Sequence, residues 1–204
     1  MLTLEKDNQK TGIEGIIRSF KMPEWVTPES TFDVSLKGFE GTWKVLDLIR
    51  EYIRSKNMVL LNYLEREGLI LAHTEQKNLI TTEGREVMAR LLAGDATYSG
   101  EITYGAVGSS TATPTNADTQ LGSESYRGGV SSQAFDENIA YIDFFFAAGD
   151  GTGTHEEFGT FIDGTASSNS GQLWSHILTG GTGGWDKGAS DSLFISCQYT
   201  FTTA

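Results

Sequence analysis

Residues 191–203 read DSLFISCQYTFTT, and this stretch decides the fold class. Leu193, Ile195, Cys197, Tyr199 and Phe201 alternate with Ser192, Phe194, Ser196, Gln198 and Thr200. Successive side chains of an extended chain point to opposite faces, so a period of two predicts a strand with one face in a core. Phe194 is the one intruder on the polar face. A strand of this length is expected to be paired on both sides or to have its edge covered.

The same habit recurs upstream. Strands are predicted over 101–107, 128–135, 139–148, 157–162 and 172–179, separated by the turn-forming runs SSTATPTNAD, GDGTGT, DGTASSNSG and TGGTGGWDKGASD. Six short strands at this spacing predict an antiparallel β-sandwich or jelly-roll-like domain. Phe144, Phe145 and Phe146 must place rings on both faces of their strand. Such a strand is central between two layers or exposed at an interface, and a subunit interface is the preferred reading. Trp185, in a glycine-rich loop, is the matching candidate for a contact anchor.

Before residue 95 the habit changes. Residues 1–94 hold 7 of the 24 glycines, with 13 Lys+Arg against 14 Asp+Glu. Residues 95–204 hold 17 glycines, 13 Asp+Glu and only two cations, Arg127 and Lys187. The chain is therefore read as a mixed α/β docking or adaptor region, 1–94, followed by a glycine-rich acidic β-domain, 95–204. In the first region TFDVSLKGF (31–39) alternates as a strand. Trp43, Leu46, Ile49, Tyr52 and Ile53 fall at helical spacing over 42–55. The run MVLLNYLEREGLILAHTEQ reads as a hairpin turning at Glu65-Arg66-Glu67-Gly68. A helix over 81–93 has Thr81 as N-cap and Glu83 in its first turn. Val87, Leu91 and Leu92 share one face, and Gly94 is the stop.

Composition excludes several functions. A half with a net charge of −11 repels phosphate, so direct nucleic-acid binding is not expected. One cysteine, Cys197, allows neither an internal disulfide nor a cysteine-based zinc site within one chain. The polar start MLTLEKDNQK is unlike a secretory signal, and no apolar run approaches the roughly 18 residues of a membrane span. A protein made in a reducing cytosol, without membrane insertion, is expected.

Candidate sites are few. His73 and His176 lie in predicted strands and are expected to be surface or satisfied core positions. The loop Gly149–Glu157 is rich in oxygens, and Asp150, Glu156 and Glu157 are its candidate calcium ligands. Its spacing is not that of an EF-hand, so a glycine-built turn is the expected outcome. Asp143, Asp150, Glu156, Glu157 and Asp163 supply carboxylates for a glycosidase pair, but nothing distinguishes two of them. Ser175-His176 and Cys197 lack a nucleophile-elbow context. Gly180–Gly184 lacks the Gly-Lys-Ser/Thr of a phosphate loop and is expected to be a flexible surface loop, with Trp185, Asp186 and Lys187 as candidate receptor contacts. No catalytic residue and no cofactor are predicted.

From about residue 58 to 204 the order of segments resembles virion proteins of tailed bacteriophages and prophages, of tail-fibre, baseplate or minor structural type. The resemblance is carried by Gln76–Gly84 running into Ala89–Gly94, by Ile102–Gly108, Ser109–Pro114 and Asp118–Glu124, and by Tyr126-Arg127. Phe144–Ala148, Glu156–Gly159 and Ser192–Thr202 complete it. It implies a β-sandwich protein built into the virion as a symmetric homo-oligomer, a trimer or hexamer, in contact with other virion proteins and without enzymatic activity. Capsid decoration or head-fibre protein, and adhesin for a host surface glycan, are the alternative roles. Residues 1–57 fall outside the resemblance and are read as the adaptor.

Overall fold

The computed structural model describes residues 12–202. In chain order its strands are β1 (Gly12–Pro23), β2 (Thr31–Val34), β3 (Gly41–Lys44), β4 (Ala72–Ile80), β5 (Ile102–Gly108), β6 (Glu124–Asp136), β7 (Ile139–Phe146), β8 (Gly153–Thr154), β9 (Glu157–Ile162), β10 (Gln172–Leu178), β11 (Asp186–Lys187) and β12 (Asp191–Thr202). The helices are α1 (Val45–Ser55), α2 (Met58–Arg66) and α3 (Thr82–Leu92). The protein is mainly β and the pairing is antiparallel, as expected. The six strands predicted after residue 94 all form.

They do not form a sandwich. Eight strands close into one barrel in the order β1, β12, β7, β6, β5, β9, β10, β4. Strand β1 pairs with β12 from Gly12↔Thr202 to Pro23↔Asp191 and with β4 on its other side. The seam between β4 and β10 is short, Ile80↔Ser175 and Leu79↔His176. Closure leaves no edge in the main sheet, which satisfies the covering that β12 requires. Two of the eight strands lie before residue 94, so the composition boundary at Gly94 is not a boundary in the barrel. Of residues 1–57, read as an adaptor, 12–23 form a wall of the barrel, and 1–11 lie outside the described residues.

The barrel interior is filled by Ile17, Phe144, Phe146, Phe158, Leu193 and Ile195 with their neighbours. Two strand glycines are explained by those rings. A Cβ on Gly105 would sit 2.9 Å from the Phe144 ring, and one on Gly128 would sit 2.7 Å from Phe146. Glycine in this half therefore makes room inside the barrel as well as turns outside it.

Phe145 and Phe194, paired across β7 and β12, face outward together. There they meet a second core made by Phe20, Met22, α1 and α2. The phenylalanine run is thus central between two layers, and the reading of Phe144, Phe145 and Phe146 as a subunit interface is corrected. Phe144 and Phe146 are fully buried, and Phe145 packs against the second core. Phe194 belongs to the face that the helices cover, so β12 is buried on both sides from Ser192 to Cys197. The outward Asp143 accepts a hydrogen bond from Arg50 Nε at 2.8 Å, a polar pin between α1 and β7.

The expected hairpin over MVLLNYLEREGLILAHTEQ is a helix followed by a strand. Asn57 caps α2, accepting from Val59 N at 3.0 Å and Leu60 N at 3.3 Å. Leu60, Leu61, Tyr63 and Leu64 then bury one helical face against the second core. The strand predicted over 31–39 ends at Val34, and the helix predicted from 42 starts at Val45 because residues 41–44 pair with β2. Helix α3 has its predicted N-cap: Thr81 Oγ1 accepts from Gly84 N at 3.0 Å. Among the described residues, no helix is long and apolar enough to cross a membrane.

Phe194 is the largest apolar group that joins the barrel to the helical layer from β12. Phe194→Ala is expected to lower the free energy of unfolding by about 3–5 kcal/mol in urea titration. Phe135→Ala, at a position 84% exposed, is expected to change it by less than about 0.5 kcal/mol.

Candidate interaction site at the barrel mouth

The barrel has two differently closed ends. At one, the segment between β10 and β12 folds inward. Trp185 is fully buried against Phe158, ring centroids 5.5 Å apart, and its Nε1–H donates to Gln76 Oε1 at 3.1 Å. His155 N donates to Trp185 O at 2.9 Å, and β8 pairs with β11 to tie the segment down. Gly183 turns the chain at φ 60°, in the left-handed region that favours glycine. The segment expected to be a flexible surface loop is therefore a plug. Trp185 is neither an interface anchor nor a receptor contact. Lys187, also read as a receptor contact, is 1% exposed, and its Nζ has no hydrogen-bond partner among the described residues. Burial lowers its pKa against the opposing pull of Asp191 and Asp150. Of the three receptor candidates only Asp186 is exposed.

Helix α3 lies across the other end. Its start is fixed to β10: Thr81 N donates to Trp174 O at 3.1 Å, Thr81 Oγ1 donates to Leu173 O, and Leu173 N donates to Glu83 Oε2 at 2.9 Å. Gly84 allows the close approach, since a Cβ there would lie 2.9 Å from Trp174 Cα. Beside the helix a cavity of about 340 Å³ opens, walled mainly by Met88, Ile102, Ala140, Ile142 and Trp174, with Tyr199 also in its lining. The Tyr199 hydroxyl is held by Thr160 Oγ1 and Ser175 Oγ, each at 2.9 Å. Full burial drives its pKa well up, so it stays a neutral phenol. Trp174 Nε1 is buried with no partner among the described residues.

The lip of this mouth is apolar and open to water. Phe135 and Phe201 line it and are 84% and 42% exposed. Leu92, one turn beyond Met88 on α3, is 88% exposed, so it does not share the buried face of Val87 and Leu91. Sequence reasoning assigned Phe201 to the core and overlooked Phe135. The signal was present: Phe135 stands directly before the acidic turn Asp136-Glu137-Asn138, outside any apolar alternation.

The polar groups that could suggest chemistry are fixed elsewhere, on the outer face of β9 and β10. His176 faces Asp118 through Nδ1 at 2.8 Å and Glu157 through Nε2 at 2.9 Å. Glu157 also accepts from Gly122 N at 2.9 Å and Ser123 N at 2.7 Å. Together they strap residues 109–123 onto the barrel, where Leu121 packs on Phe161 and Leu173. Ser175 points to the other side, toward Thr160 and Tyr199, so Ser175 and His176 do not face each other. His73 bonds Glu65 Oε1 at 3.1 Å and stacks on Phe20.

The candidate calcium ligands do not converge. Asp150 lies on the Gly149–Gly153 turn, whose three glycines all have positive φ, and Glu157 is committed to His176. Among the described residues no three His, Cys, Asp or Glu side chains are gathered as a metal would require. The glycosidase candidates are likewise dispersed. Asp143 pairs with Arg50, and Asp163 accepts from Ser99 N at 2.8 Å. No protein-family model, no curated protein and no solved structure matches this chain.

Arg127, 4% exposed, is held by both oxygens of Glu124 at 2.6 Å and lies over the Phe161 ring. With Lys187 also buried, the second half presents no lysine or arginine to solvent, only carboxylates.

Two groups set distinct pH responses. Burial is the leading cause that lowers the His155 pKa, against its hydrogen bond to Gly151 O. A histidine held neutral in this way favours the folded chain above about pH 6.5, and the contribution is lost as pH falls below that value. Partial burial raises the Asp118 carboxyl, but hydrogen bonds from Thr115 and His176 outweigh it and hold the pKa below the usual range. That contribution is present above about pH 3.9 and is lost as pH falls through the lowered value. Melting curves from pH 8 to 2 are expected to show His155→Gln flattening the loss that begins as pH falls below about 6.5. Asp118→Asn is expected to flatten only the loss below about pH 4.

Proposed function

We propose that this chain is a non-enzymatic structural subunit of a tailed-phage virion, placed at the tail, baseplate or tail fibre and acting through assembly. The observation that carries the reading is the apolar lip formed by Phe135 and Phe201, with the exposed Leu92 one turn beyond Met88 of the cavity wall. Large apolar side chains gathered around a cavity mark a surface that is covered in use. The segment-by-segment resemblance to virion proteins over residues 58–204 gives that covering its setting.

Assembly as a trimer or hexamer is part of the same proposal. The buried polar clusters favour a static part: Glu124–Arg127 and Asp118–His176–Glu157 fix long loops in single conformations. The burial of Trp185 removes the aromatic platform on which a glycan-binding role rested.

Quantitative mass spectrometry and reconstruction of purified particles test the reading. A tail or baseplate subunit is expected at roughly 3, 6 or 12 copies per particle, following the symmetry of those parts. Hundreds of copies would place it on the capsid, and absence from washed particles would overturn a virion role.

A further inference from the structure

The mouth also carries information about what covers it. We infer that it receives a basic segment of another protein, which inserts one large apolar side chain into the cavity between α3 and the β6–β7 hairpin. Within the virion reading, that partner is another virion protein. The inference adds the chemistry of the contact.

The first observation is shape. The cavity is of a size that takes one bulky side chain with its immediate neighbours, and its walls are apolar. Phe135 and Leu92 extend beyond it, on surface that a small molecule seated in the cavity would leave in water. An anchor side chain followed by more chain covers both.

The second observation is charge. Glu101 lies on the cavity wall, and Asp136 and Glu137 stand exposed at the hairpin tip beside Phe135. The arginine of α3 nearest Leu92, Arg90, is already bonded to Glu86 and Asp95. Arg85, one turn earlier, bonds Thr82 at the helix start, and Lys77 is exposed on the wall of β4. The second half adds no exposed cation. A second copy would bring the same acidic lip, and anionic lipid would be repelled. Lysine or arginine flanking the anchor is attracted.

The third observation is the turn itself. Glu137 has φ 50°, a conformation in which glycine or asparagine is relaxed and glutamate is strained. The tip is fixed nonetheless: Asn138 Nδ2 donates to Phe201 O at 2.6 Å, and Phe201 N donates to Asn138 O at 2.9 Å. A strained carboxylate on a rigid tip, beside an exposed phenylalanine, is explained by a use for that charge.

The test uses the full chain and three blocked pentapeptides, Lys-Lys-Trp-Lys-Lys, Lys-Lys-Ala-Lys-Lys and Glu-Glu-Trp-Glu-Glu, with affinities measured by calorimetry at low salt. The basic tryptophan peptide is expected to bind at least tenfold more tightly than either control, and more weakly as salt rises. Phe135→Ser is expected to weaken it at least fivefold while leaving the melting temperature near that of the parent. Glu137→Gly is expected to weaken it while raising the melting temperature, because it removes charge and strain together. Four results would overturn the inference. These are no binding at millimolar peptide, equal binding of the acidic peptide, binding of free indole as tight as the pentapeptide, or self-association abolished by Phe135→Ser. Peptide failure would leave the particle assignment standing, and absence from particles would leave this contact standing.

Discussion

Closure of the barrel by β1 is the constraint on which the rest of the structure depends. Strand β12 runs between β7 and β1, and β1 carries the sheet on to β4. Without β1, β12 would be an edge twelve residues long, apolar on both faces from Leu193 to Ile195. With it, Leu193, Ile195, Cys197 and Tyr199 fill the interior while Ser192, Phe194 and Ser196 form a floor for the helices. The helical layer, the plug at one end and α3 at the other are all seated on a sheet that has no ends.

The two basic residues of the second half are both drawn inward. Arg127 anchors residues 165–170 through Thr165 O and Ser170, while Lys187 lies in the plug. The buried Arg127–Glu124 pair adds little net stability, but it penalises arrangements that leave either charge unpaired, and so it fixes the conformation of the loop it holds. The exposed surface of the second half is left acidic, apart from its share of the apolar patch at the mouth.

Much of this was legible in the sequence where local periodicity and packing agree. The alternation of 191–203, the five other strands after residue 94 and the Thr81 cap all follow from side-chain direction and hydrogen-bond need. The errors arise where tertiary partners decide. In α2, Leu60, Leu61, Tyr63 and Leu64 fit a short buried strand as well as a helix, and the Asn57 cap settles it only once the second core exists. Closure was hidden because β1 carries Arg18 and Ser19 at buried positions, where a pairing partner from β4 satisfies each: Glu75 for Arg18 and Thr74 for Ser19. Trp185 was misplaced because glycine neighbours imply mobility, whereas here Gly183 and Gly184 let the backbone turn and press against Ser19. The mouth left only a faint trace, one phenylalanine before an acidic turn.

Residues on both sides of Gly94 close one barrel, and a single cooperative unfolding unit is the consequence. Native-state hydrogen exchange of the backbone amides tests it most directly, because each amide reports the free energy of the opening that exposes it. The ladder amides of β1 and β4 are expected to exchange with the same opening free energy and denaturant dependence as those of β7 and β12. Exchange of β1 and β4 through a distinctly lower-energy opening, with β7 and β12 still protected, would contradict it.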